Sequence, residues 1–204
     1  MRNKIVIGID QSYKDTGVSI SFNGNLKMAK DIKLEHFKNN SERRTNLQKR
    51  LFDIFSSVHL LQKDYNAKVI VIIERIRLQS QGFINIDYIK SIGALNALIV
   101  DTASGFDFPV YSVDTRAWKS AIVGNSKGQK NKYGIDEKKW PTILWCISKG
   151  YKKYIKSSVN KGKKKGVIEK DGERYTYNDN IADSICISLY GFINNSKQLL
   201  KEEH

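Results

Sequence analysis

Cysteine, proline and histidine are all scarce in this chain: its 204 residues include two, two and three of them. Two cysteines, Cys146 and Cys186, exclude a disulfide-dense secreted scaffold, and neither has metal-ligand spacing. They read as a pair of buried thiols in a reducing compartment or, alternatively, as a single disulfide. The histidines, His36, His59 and His204, stand far from every acidic motif. No stretch approaches the roughly 18 uninterrupted apolar residues of a membrane span, and no hydrophobic signal segment opens the chain, so a cytoplasmic protein without a membrane partner is expected. Acidic residues are also in short supply, 21 against 35 Lys and Arg, which leaves a net charge of +14. That excess calls for a polyanionic partner, nucleic acid first and an anionic membrane surface second. With 40% hydrophobic residues, wholesale disorder is excluded. At roughly 100–200 residues per domain, residues 1–204 make one domain.

The basic excess is concentrated. Arg116 to Trp140 holds Arg116, Lys119, Lys127, Lys130, Lys132, Lys138 and Lys139 against Asp136 and Glu137. Lys149 to Arg174 holds Lys149, Lys152, Lys153, Lys156, Lys161, Lys163, Lys164, Lys165, Lys170 and Arg174 against three acids. A charge run is ordinarily a solvated face. Here Tyr151, Tyr154, Tyr175 and Tyr177 are interleaved with the lysines, and rings beside phosphate-seeking cations suit nucleic acid. Residues 150–177 thus read as a basic insert, Lys/Gly/Ser-rich from Ser157 to Gly166.

Two apolar runs, Lys4–Asp10 and Val69–Ile73, are too continuous for half-exposed strands and predict central ones buried on both faces. Between them, Gly17–Phe22 alternates, Asn23-Gly24-Asn25 signals a turn, and a third strand runs from about Leu26 to Ile32. Ser41 is a candidate N-cap for a helix carrying Leu47, Leu51, Ile54, Phe55, Val58 and Leu61 at helical spacing. A helix over about Ile84–Thr102, a strand Val110–Val113, a helix opening at Asp114, another over about Glu137–Ser148, a hairpin Val167–Tyr177 turning at Asp171-Gly172, and a last helix from about Asp179 to Asn195 complete the reading. This is the order of an α/β fold with a five-stranded mixed sheet, strand order 3-2-1-4-5 with strand 2 antiparallel, flanked by helices. Ligands bind such sheets at the carboxyl ends of the strands where the chain reverses direction, between strands 1 and 4.

Asp10 and Glu74 both end up there. An acid closing an apolar strand is costly unless a cation or hydrogen bonds compensate it, and this chain does so twice on neighbouring strands. Each alone reads equally well as a solvated strand end. Asp179 and Asp183, spaced i,i+4, share one face of an otherwise apolar helix that must pack on the sheet, although Asp179 also reads as an N-cap. Carboxylates converging without His or Cys form a hard oxygen site suited to Mg²⁺, with Mn²⁺ as a substitute. Metal also reconciles an acidic pocket with a polyanion-binding surface, since two ions roughly 4 Å apart activate a water and stabilise the leaving oxygen of a phosphodiester.

Four segments together resemble the RNase H-like nucleases and, within them, the RuvC-type Holliday junction resolvases. They are Ile7-Gly8-Ile9-Asp10-Gln11-Ser12 with Thr16-Gly17-Val18-Ser19; Val71-Ile72-Ile73-Glu74; Arg116-Ala117-Trp118-Lys119-Ser120-Ala121-Ile122-Val123-Gly124-Asn125 with Lys127, Lys130 and Lys132 beyond; and Asn180-Ile181-Ala182-Asp183-Ser184. They occur in the family's order over nearly the whole chain. The resemblance implies a metal-dependent endonuclease that resolves four-way and other branched DNA by paired nicks. It implies two ions per active site held by Asp10, Glu74, Asp183 and either Asp179 or Asn180, with Lys119 as a phosphate-contacting cation and no small-molecule cofactor. Arg77, Arg116, Lys119, Lys127, Lys130, Lys132, Lys163, Lys164 and Lys165 are the implied DNA contacts. A homodimer is implied too, pairing through the Ile84–Thr102 helix, where Gly93, Ala94 and Ala97 permit close approach either across a two-fold axis or onto the chain's own sheet.

Three departures stand out. Asn180 occupies the position where the family carries an acid or His three residues before its last Asp. Arg77 replaces the aromatic wedge of some members, the next aromatic being Phe83. The Lys-rich insert is longer than the bacterial pattern and resembles phage or viral relatives. Three other readings compete: a YqgF-like RNA-processing relative on the same fold, a binding module without catalysis, and an actin-like kinase or ATPase, for whose second domain 204 residues leave no room.

Overall fold

The computed structural model of the chain describes residues 3–75, 86–124, 138–158, 166–194 and 200–201. In chain order the elements are β1 (Lys4–Asp10), β2 (Asp15–Phe22), β3 (Asn25–Lys33), α1 (Asn40–Tyr65), β4 (Lys68–Glu74), α2 (Ile86–Ser104), β5 (Val110–Val113) and the short α3 (Thr115–Trp118). A π-helical turn, Lys119–Val123, follows directly. Then come α4 (Trp140–Ser148), α5 (Lys152–Ile155), β6 (Lys156–Ser158), β7 (Ile168–Lys170), β8 (Glu173–Tyr177), α6 (Asp179–Ile193) and β9 (Leu200–Lys201).

The main sheet has the order β3-β2-β1-β4-β5-β9. Its first five strands follow the predicted 3-2-1-4-5, with β2 antiparallel to β1 and β3 while β4 runs parallel to both β1 and β5. The two-residue β9, antiparallel to β5, adds an edge that the sequence pattern did not call for. A second, three-stranded sheet, β6-β8-β7, is built from the basic insert. Its hairpin turns at Asp171 and Gly172, both at positive φ, as Asp-Gly predicts. The short α5 and β6 were not predicted; the Lys-rich composition masks them, yet Ile155 is buried and fastens the segment.

Alternation sorts the two central strands between two cores. Ile5, Ile7 and Ile9 of β1 and Val69, Val71 and Ile73 of β4 face α1 and α2. Val6, Ile70 and Ile72 face the other way, toward α6 and α4. Asp10 and Glu74 continue that second set, so both acids emerge on the α6 side.

Three helix starts differ from the sequence reading. The cap of α1 is Asn39, not Ser41: its side chain accepts from Glu42 N at 2.9 Å and Glu42 Oε1 receives its amide, a reciprocal capping pair. The cap of α6 is Asn178, whose Oδ1 accepts from Ile181 N at 3.1 Å, which releases Asp179 from that duty. The helix predicted from about Glu137 begins at Trp140.

Helix α6 lies backbone-to-backbone on β1 and β2. A Cβ built on Gly8 would lie 2.4 Å from Ser184 O and 2.5 Å from Ser188 N, and one on Gly17 only 2.0 Å from Asn180 O. Glycine at both places lets helix backbone rest on strand backbone, and the hydroxyl of Ser19 donates to Ser184 O at 2.7 Å. Gly8→Ala and Gly17→Ala are therefore overpacking changes against backbone. Each is expected to cost about 2–3 kcal/mol and to lower Tm by roughly 5–10 °C in thermal denaturation.

Candidate active site

Parallel pairing of β1 and β4 runs to Ile9 opposite Ile73, which leaves Asp10 and Glu74 side by side at the strand ends, about one strand spacing of 4.8 Å apart in backbone. Gln11 locks that arrangement. Its amide nitrogen donates to Glu74 O at 2.6 Å and its oxygen accepts from Glu74 N at 3.2 Å, continuing the ladder by a side chain. The carboxylate of Glu74 receives the hydroxyl of Thr115 at the start of α3.

Over this pair lies the first turn and a half of α6. Because Gly8 and Gly17 bring its backbone onto the sheet, Asp183, next to Ser184, is held over Asp10, and Asp179 lies one helical turn away on the same face. Asp183 is 14% exposed, and its Oδ1 is buried without a hydrogen-bond partner. Its Oδ2 stands 3.9 Å from Lys119 Nζ. Asp179 pairs with Lys139, the residue just before α4. Asn180 turns away: its amide donates to the carbonyl of Asp15 in β2.

The electrostatics register the crowding. Burial pushes the half-buried Asp10 carboxyl well above its usual range, and the charges of Asp183, Glu74 and Asp179 push the same way against the pull of Lys119. Asp183 is raised to about 7 by burial, with Lys119 and the nearby Thr142 hydroxyl opposing and Glu74 and Asp179 reinforcing. For Lys139, burial acts downward, but the hydrogen bond and charge of Asp179, with Asp183 and Asp10, prevail and raise its pKa. The four acids thus feel one another in one cleft with Lys119 and Lys139 as counter-ions. They do not form a ready ligand cluster: among the described residues, no three His, Cys, Asp or Glu side chains stand where they could hold a metal ion. Asp179 is instead paired with Lys139, and Glu74 with Thr115.

Lys119 is placed by the π-helical turn it opens, closed by Gly124 N donating to Lys119 O at 3.0 Å with Gly124 at φ +78°. Its ammonium also rests 5.0 Å from the ring centre of Trp118, which is fully buried. Gln11, Thr115 and Lys139 are site residues that the sequence reading did not assign. Gln11 lay inside a quoted motif, and Thr115 directly follows a strand ending in the same crevice. Lys139 was counted only as part of a charge run.

Of the expected DNA contacts, Arg116 is exposed and Lys119 lines the cleft, whereas Arg77, Lys127, Lys130, Lys132, Lys163, Lys164 and Lys165 lie outside the described residues, as does Phe83. Tyr175 and Tyr177, read as interleaved surface rings, are instead buried in the second core. Cys146 and Cys186 are free, buried thiols between α4 and α6, not a disulfide. Among the described residues, no helix is long and apolar enough to cross a membrane.

No protein-family model matches the sequence, and no curated protein sequence does. Solved structures do. Thermus thermophilus RuvC superposes with a TM-score of 0.58 at 14% identity, covering 97% of this chain and 99% of that one. The T. thermophilus RuvC in complex with a Holliday junction substrate gives 0.57 at 13% identity, over 98% and 99%. The yeast mitochondrial Holliday junction resolvase Ydc2 gives 0.50 at 15% identity, over 92% of this chain and 77% of that one. At such identities the likeness is one of architecture, and the chain has the RuvC-type fold.

Proposed function

We propose that this chain is a structure-selective DNA endonuclease that resolves four-way junctions and related branched DNA by paired, divalent-metal-dependent nicks, acting as a homodimer. One observation carries the reading: Asp10, Glu74, Asp183 and Asp179, from three separate elements, converge around Lys119 and Lys139 at the strand ends of a RuvC-type fold, in a chain of net charge +14. The solved structures sharing the fold support it, one of them holding a Holliday junction substrate.

By donor chemistry, though not by their present spacing, the residues fit Mg²⁺ or Mn²⁺. Every donor is a carboxylate oxygen, the buried Asp183 Oδ1 has no partner, and the mutual repulsion at Asp10 marks more negative charge than Lys119 offsets. Asp10, Glu74, Asp183 and Asp179 would hold the metal. The chemistry such metal would supply there is an activated water and a stabilised leaving oxygen. The protein's own contributions are positional and electrostatic. Gln11 and Thr115 fix the backbone and carboxylate of Glu74, and α6 carries its two acids as a rigid pair. Lys119 and Lys139, each partly exposed beside its acid, would place positive charge against phosphate oxygens, where the transition state gathers negative charge. Asn180 serves the fold, holding α6 to β2.

With labelled four-way junction, duplex and structured RNA in Mg²⁺ or Mn²⁺, paired cuts near the branch point of the DNA junction are expected. Asp10→Asn should lower the cleavage rate by roughly 10³-fold or more while junction binding stays intact or tightens. Preferential RNA cutting would favour the RNA-processing reading, and binding without any cutting the non-catalytic one.

The raised carboxyl of Asp183 gives a pH signature. A carboxyl whose folded pKa lies above its unfolded value stabilises fully below about pH 4, and that contribution is lost as pH rises through about 7. Without divalent ions, Asp183→Asn is therefore expected to gain Tm relative to the parent on going from pH 5 to pH 8, by several degrees. Mg²⁺ should raise the parent's Tm at pH 8 and leave Asp10→Asn and Asp183→Asn nearly unchanged, as read by thermal denaturation.

For the homodimer the support is α2. A Cβ at Gly93 would meet open space and Ala97 is exposed, so these small residues are directed away from the chain's own sheet. A solution mass of twice the 23.4 kDa chain is expected by light scattering. Ala97→Arg should yield monomers that still bind a junction but no longer cut its two strands in concert.

A further inference from the structure

Residues 138–158 contain six lysines and no acid. Lys139 is taken by Asp179 and Lys156 by Glu173. Lys149, Lys152 and Lys153 are exposed and, among the described residues, meet aromatic rings and no carboxylate. Gly150, at φ +80°, turns the chain sharply between α4 and α5 and brings three rings into one row. Trp145 and Tyr151 have centroids 6.1 Å apart, and Tyr151 and Tyr154 6.5 Å. All three are half-buried: their inner edges pack on the second core while part of each ring stays at the surface. Lysines cover that surface, Lys149 at 6.0 Å from the Trp145 ring centre and Lys153 at 5.0 Å from that of Tyr154.

We infer that this row, Trp145, Tyr151 and Tyr154 under Lys149 and Lys153, is a docking surface for unpaired nucleotides of a DNA strand leaving the branch point. The inference rests on the branched-DNA reading above and extends it to a second contact surface. A duplex arm needs only cations, because its base faces are already stacked; rings add affinity where base faces are free. The lysines are suited to the exchange. Each rests on a ring through an exposed cation–π contact, a weak interaction, and can swing to a phosphate as a base takes its place on the ring. The surface is also in reach of the acid cleft. Lys139 and Thr142, beside Asp179 and Asp183, begin the helix whose far end carries Lys149. Ten residues of helix span roughly 15 Å, about four nucleotide steps of a stacked strand.

The test uses the full chain and oligothymidylate of about ten nucleotides as probe. Trp118 and Trp140 are buried, so a change in tryptophan emission reports on Trp145. Saturable quenching is expected, lost in Trp145→Phe while that variant still binds by fluorescence anisotropy. Trp145→Leu with Tyr154→Leu should weaken binding to a four-way junction with unpaired nucleotides at its centre by about tenfold, and leave a fully paired junction within about twofold. Trp145→Phe with Tyr154→Phe should restore it. Lys149→Gln with Lys153→Gln should flatten the salt dependence for oligothymidylate by between one and two in log–log slope, which the ring variants should not do. Unaltered emission and no binding of oligothymidylate would overturn the inference, as would equal losses on paired and gapped junctions or tighter binding of oligouridylate. Junction cutting by the parent protein is scored separately. Quenching without cutting would keep this surface and remove the nuclease reading, whereas cutting without quenching would do the reverse.

Discussion

Backbone-to-backbone contact between α6 and the first two strands is the constraint on which the rest of the molecule depends. A helix packed through ordinary side chains lies about 10 Å from a sheet, and carboxylates at its first turns would then stand well apart from those at the strand ends. Glycine at 8 and 17 removes the side-chain layer where it matters, and Ser19 adds a hydrogen bond across the seam. The apolar face of α6, with Ile181, Ala182, Ile185 and Leu189 buried, supplies the burial that keeps it there. Two acids from the helix and two from the strands are brought into one space as a result, and the carboxyl of Asp10 is raised by its burial there first and by the neighbouring charges second.

Such crowding opposes folding unless positive charge answers it. The chain answers from two directions, Lys119 from a π-helical turn after β5 and Lys139 from the threshold of α4. Both are only partly covered, Lys119 being 33% exposed and Lys139 48%, so solvent moderates each pairing and neither is locked to its acid. The arrangement keeps the acid cleft tolerable in isolation while leaving its counter-ions exchangeable.

Much of this was readable from residue order. Continuous Ile/Val runs ending in acid identified β1 and β4, because a strand buried on both faces has little choice of composition, and the topology of three strands followed by alternating helices and strands left few sheet orders. What escaped the reading depends on pairs distant in sequence. Gln11 meets Glu74 across 63 positions, Thr115 meets Glu74 across 41, and Lys139 meets Asp179 across 40. Local pattern carries no record of such partners. The caps failed for a different reason: Asn39-Asn40-Ser41 and Asn178-Asp179-Asn180 each offer several residues able to cap a helix, and only the geometry of the first turn chooses among them. In the basic insert, composition spoke for a loop, while burial of Ile155, Ile168, Tyr175 and Tyr177 and the pairing of β6 with β8 order it.

The amide of Asn178 does more than begin a helix. Its nitrogen reaches Asp15 Oδ2 at 3.0 Å and Asp31 Oδ2 at 3.2 Å, carboxylates on β2 and β3, while its oxygen caps α6. Asp15 is raised to about 6 by burial and by the nearness of Asp31, against the Asn178 hydrogen bond and the charge of Lys33. Through one side chain, the outer edge of the sheet and the start of the acid-bearing helix are made mutually dependent. Closure of the third strand therefore adds a second hold on the start of α6, beside its contact with β1 and β2. The geometry of the acid cleft thereby depends on both edges of the β1–β3 meander.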